Sequence, residues 1–113
     1  MAKNPQRDRE LLKHILCHID RIKSKREAIR DLKDFISNQD IQEIVLFNFF
    51  QIGENLAHMS DDFVARNSDI EIRSIIDFRN IIAHGYGTIN IQQIYTFLYE
   101  DLDELQSQIE RNL

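Results

Sequence analysis

Leu11, Leu12, Ile15, Leu16, Ile19 and Ile22 recur at three- and four-residue spacing with Lys and Arg between them, which predicts an amphipathic helix over roughly 7–24. Lys23, Lys25 and Arg26 make its last turn cationic, as the helix dipole favours. A shorter pattern of Ala28, Ile29, Leu32, Phe35 and Ile36 ends near Ser37-Asn38, and either of those side chains can cap the next helix. That third helix spans about 39–59 and is the most apolar in the chain. From Ile44 to Ile52 its apolar side chains fall on nearly every face, so self-association is the simplest cover. Gly53 costs about 1 kcal/mol relative to Ala in a helix interior and marks a candidate close crossing.

Ser60-Asp61-Asp62 signals a capped short turn, and a fourth helix covers about 70–83. Gly85, Tyr86, Gly87 and Thr88 break it. Asn90 then caps a fifth helix with Ile91, Ile94, Tyr95, Leu98, Leu102, Leu105 and Ile109 as its inward stripe. The expected fold is an all-α antiparallel bundle of four to five helices. A two-fold dimer would join through the third and fourth of them.

Composition narrows the class. With 113 residues the chain is expected to form a single domain over 1–113. Hydrophobic residues at 42% exclude a disordered tail, while three Gly and one Pro are too few turn formers for a many-stranded β fold. The longest apolar run, Ile44-Val45-Leu46-Phe47, is far short of the roughly 18 residues of a membrane span, and Met1 to Asp8 lack an apolar leader core. A cytoplasmic protein with no membrane partner is expected. Residues 1–36 hold ten Lys and Arg against six Asp and Glu, whereas 37–113 hold four against thirteen. A nucleic acid would therefore be met locally, near the basic first helix or at one specific arginine.

Several side chains are candidates for chemistry. Cys17 cannot form an internal disulfide and, inside an apolar stretch, reads as a buried structural thiol rather than a nucleophile. His14 and His18 flank it at a spacing that suits a metal but lack a third ligand at a defined position, so ordinary helix-face residues are the alternative. Arg79 is more pointed: at about 100° per residue, Ile72, Ile75, Ile76, Ile82 and Ala83 all lie within roughly 60° of it. A guanidinium in an apolar stripe requires an anion, either a structural ion pair with Glu54 or Glu100 or a ligand phosphate. His84 ends the same helix about 140° away from Arg79. Either the last turn unwinds to unite the two, or a second copy completes a cleft. Tyr86, between two glycines, is expected to be exposed. The run Glu100-Asp101-Asp103-Glu104 reads as a cation site, a surface for a basic partner, or a solvated helix face.

The segment Arg79-Asn80-Ile81-Ile82-Ala83-His84-Gly85-Tyr86 reads R-N-x-x-x-H-x-Y and resembles the signature of HEPN-superfamily ribonucleases, specifically the HepT-like toxin branch. Asn48-Phe49-Phe50-Gln51-Ile52-Gly53-Glu54 is similar to that family's N-L-x-x-I-G-E helix, which makes Asn48 and Glu54 candidate supporting residues. Ile94-Tyr95 and Asp101-Leu102-Asp103-Glu104-Leu105 are similar to its final helix.

The resemblance implies a homodimeric endoribonuclease that needs no metal or other cofactor, with Arg79, Asn80 and His84 as its catalytic set. The chemistry fits those side chains. Cutting RNA beside its 2′-hydroxyl requires proton transfers that an imidazole can perform and a fixed cation for the phosphate. The resemblance further implies a toxin restrained by a cognate minimal nucleotidyltransferase antitoxin that transfers AMP to Tyr86. The alternative is a non-catalytic helical subunit that binds a nucleotide or presents substrate to such a nucleotidyltransferase. The acidic balance of 37–113 suits that alternative, and the intact R-N-x-x-x-H-x-Y set suits the enzyme.

Overall fold

The computed structural model describes residues 5–85 and 88–113, and the regular elements among them are helices. In chain order these are α1 (Pro5–Arg26), α2 (Leu32–Ser37), α3 (Gln39–Ala57), α4 (Asp61–Arg66), α5 (Ile72–His84), α6 (Ile91–Glu100) and α7 (Leu102–Glu110). The all-α expectation holds. The helix number exceeds it because the short turn after Ser60 becomes α4 and the expected fifth helix divides into α6 and α7.

Local chemistry sets most boundaries. Pro5 opens α1, where its missing N–H has no intrahelical role. Asn38 accepts from the Ile41 amide at 3.0 Å and Asn90 from the Gln93 amide at 3.1 Å, so both expected caps form. Ser60 caps α4 through the Phe63 amide and is itself held by Asp8, which accepts from the Ser60 amide at 3.0 Å and its hydroxyl at 2.6 Å. That buried network fastens the start of α1 to the start of α4.

The break between α6 and α7 has a distant cause. Arg26, at the end of α1, donates from Nη1 to the Leu98 carbonyl at 2.9 Å. In an uninterrupted helix that carbonyl would receive the Leu102 amide. A side chain entering the ladder is a standard source of a kink, and Asp101 at the junction has φ −117°. Leu98 and Leu102 both remain buried across the bend.

The core is a seam between α1 and α3, with α6 and α7 closing over α1. Leu12, Ile15, Ile19 and Ile22 enter it from α1, and Val45, Ile52 and Leu56 from α3. Cys17 is exposed, contrary to its sequence reading. It lies about 160° around α1 from Ile19, so the apolar stripe turns it outward. On α3, Phe47 is 58% exposed and Ile44 37% exposed, so part of the apolar belt stays open. No helix among the described residues is long and apolar enough to cross a membrane.

Candidate functional site

The candidate site lies where α5 crosses α3. Phe49 meets Phe78 edge to face, and Gly53 lies against the Arg79 stem and the Ile75 carbonyl, so the two helices touch closely there. A Cβ on Gly53 would fall 2.6 Å from Arg79 Cβ and 2.9 Å from its Cγ, so this glycine leaves the lane in which the arginine stem lies. The crossing read at Gly53 is therefore real and is occupied by Arg79.

Beyond that lane the guanidinium meets Glu54, with Nη1 donating to Oε1 at 2.6 Å, and Nε donates to Asn80 Oδ1 at 3.0 Å. Of the two carboxylates considered from sequence, Glu54 is thus the partner. The Arg79 side chain is 18% exposed and that of Glu54 37%. A guanidinium has five N–H donors, and with Nε and Nη1 engaged the Nη2 group has no partner among the described residues. Glu54 and Asn80 fix the plane of the fork; Gly53 permits its approach.

His84 is the last residue of α5 and is exposed. The Gly85 amide donates to the Ile81 carbonyl at 2.7 Å, closing the final turn without unwinding it. Thr88 then folds back onto the Gly85 carbonyl through its amide and hydroxyl. On such a regular helix Arg79 and His84 start about 140° apart around the axis and about 7.5 Å apart along it, and Asn80, which Arg79 reaches, lies about 40° from His84. His84 shares its side of α5 with Ile81, which is 42% exposed. Tyr86 lies outside the described residues.

Asn48 is not brought to this cluster. It is buried against α1, where its Oδ1 lies 2.8 Å from His18 Nδ1 and its Nδ2 donates to the Ile44 carbonyl. Its role is to fasten α3 to α1. His18 is thereby engaged, and among the described residues no group of three or more His, Cys, Asp or Glu is arranged to hold a metal ion.

A model of the family described as Ribonuclease HepT-like matches residues 15–112. The chain belongs to the HepT-like ribonuclease family. The matched span runs from the first half of α1 past the end of α7 and includes the whole Arg79, Glu54 and His84 region. The chain is also similar, at 25% identity over 80 residues, to a Methanocaldococcus jannaschii protein named Putative RNase MJ1380. That alignment covers 71% of this chain and 73% of the relative. No solved structure matches the chain. HepT-like membership and this relative together support ribonuclease activity in general.

Proposed function

We propose that this HepT-like chain is a metal-independent endoribonuclease toxin in which Arg79 and His84 act together in a cleft between two copies. The observation that carries this reading is the regular α5 backbone through His84. Within one protomer Arg79 is held by Glu54 while a regular α5 sets His84 about 140° around the helix from it, which favours a cleft that a second copy completes. The exposed Phe47 supports it, because seven residues before Glu54 it lies within about 20° of that residue around α3. An apolar contact there would bring a second molecule to the edge of the arginine site.

In this cleft Arg79 grips the scissile phosphate through its open Nη2 edge. His84 takes the 2′-hydroxyl proton as the 2′-oxygen attacks phosphorus. The P–O5′ bond breaks, and the imidazole returns a proton to the leaving 5′-oxygen, giving a 2′,3′-cyclic phosphate and a 5′-hydroxyl. Asn80 holds Arg79 in position. DNA lacks the nucleophile and is spared.

RNA incubated with the purified chain in EDTA should be cut to cyclic-phosphate ends, and Arg79→Ala or His84→Ala should each reduce the rate by two or more orders of magnitude, roughly the weight of an electrostatic or acid–base group. A requirement for Mg²⁺, or activity that survives both substitutions, would contradict the proposal.

Restraint by a cognate minimal nucleotidyltransferase antitoxin through AMP on Tyr86 completes the reading. Tyr86 follows His84 by two residues, and a phosphodiester there would compete for the cations meant for RNA. Coexpression with such a partner should add the mass of one AMP and silence the chain, whereas Tyr86→Phe should stay active. An unmodified but silent wild type would favour steric inhibition instead.

A further inference from the structure

We propose that the groove bounded by α5, α6 and α7 is a docking site for a cationic amphipathic segment of a partner protein. This surface is separate from the arginine site and stands whether or not the chain cuts RNA. α5 packs on α3 but makes little contact with α6 or α7, leaving a groove of about 550 Å³ between them. Its floor is apolar: Phe49, Ile75, Phe78, Ile94 and Phe97 line it. Phe78 and Phe97, both half-buried, each set an edge against Phe49, with ring centres 5.0 and 4.7 Å apart.

The rim is acidic on both banks. Asp69 and Glu71 stand at the start of α5, Asp101 and Glu104 at the α6–α7 junction, and no Lys or Arg lines the groove. Asp69 is already paired with Arg111. Among the described residues Glu71, Asp101 and Glu104 have no side-chain hydrogen bond or ion pair, so three exposed carboxylates face the groove without a counter-charge.

Charge decides the occupant. An RNA phosphate backbone is repelled by this rim. A second copy seated symmetrically would set the three uncompensated carboxylates against their own images, because a two-fold interface pairs a patch with itself. Apolar side chains flanked by Lys or Arg satisfy both the floor and the rim, as in helix-in-groove recognition. The volume accommodates a few such anchors rather than a whole domain face.

A fluorescently labelled synthetic peptide of Leu and Lys in amphipathic-helix order serves as the probe, titrated with the full chain and followed by anisotropy. Saturable binding is expected, and the double variant Glu71→Lys/Glu104→Lys should weaken it about tenfold or more. Glu10→Lys/Glu43→Lys makes the same change in net charge at exposed positions outside the groove and should leave binding within about twofold. Circular dichroism confirms that each variant is folded. Replacing every Leu of the peptide by Ser should abolish binding. No binding of the Leu/Lys peptide, equal weakening by both double variants, or undiminished binding of the Ser peptide would each overturn the proposal.

Discussion

At the scale of single residues, Gly53 and Arg79 form one device. Alanine at 53 would gain about 1 kcal/mol of helix propensity, yet its Cβ would sit 2.6 Å from Arg79 Cβ, with the backbone of both helices behind the clash. Overpacking of that kind costs typically about 1–3 kcal/mol, so Gly53→Ala is expected to lower stability slightly and displace the guanidinium from Glu54. Urea denaturation and RNA cleavage together check this: a modest shift in midpoint with a disproportionate loss of cleavage is expected. An active variant would show that the lane is not needed. Much of this was legible in sequence, since a lone arginine in an apolar stripe demands an anion and a mid-helix glycine suggests a crossing. The choice of Glu54 over Glu100 was not, because it depends on how α5 lies across α3. Cys17 was misread for a simpler reason: its neighbours in sequence are apolar, but its neighbours on the helix surface are not.

At the scale of elements, periodicity and caps revealed α1, α3 and α5 and the Asn38 and Asn90 starts. The division of α6 from α7 was hidden, because the apolar stripe continues unbroken from Ile94 to Ile109 while the interruption comes from Arg26 on another helix. The same corner explains the cationic end of α1. Arg26 and Lys23 both reach Asp103 at 3.2 Å, and their hydrogen bonds hold its carboxyl below the ordinary 3.8. A carboxylate whose folded pKa is lowered contributes stability above the unfolded value and loses it as pH falls through the folded one. Asp103 is 62% exposed, so solvent limits the contribution to about 1 kcal/mol or less. Asp103→Asn should therefore melt at a slightly lower temperature than wild type at pH 7, and the difference should shrink as pH drops below 3.8. An equal gap at both pH values would mean that the pair is not the source. The acidic run accordingly divides its labour: Asp103 secures α1, and Asp101 and Glu104 face the groove.

At the scale of the whole molecule, the sequence suggests that α3 carries more apolar surface than one protomer covers; the single chain buries Val45, Leu46, Phe49 and Ile52 and leaves Phe47 and Ile44 exposed. What pattern could not supply was the fate of His84, since a helix end after Ala83 can unwind or hold. It holds, so on a regular helix His84 stands about 140° around α5 from Arg79. The most direct test of a cleft shared between copies is complementation. Arg79→Ala and His84→Ala proteins, each inactive alone, are unfolded together, refolded as a mixture and assayed for RNA cleavage in EDTA. Mixed dimers keep one intact Arg79 and one intact His84 on opposite chains, so a substantial fraction of wild-type activity should return. A mixture no more active than either variant alone, when mass spectrometry shows that mixed dimers have formed, would contradict the shared cleft.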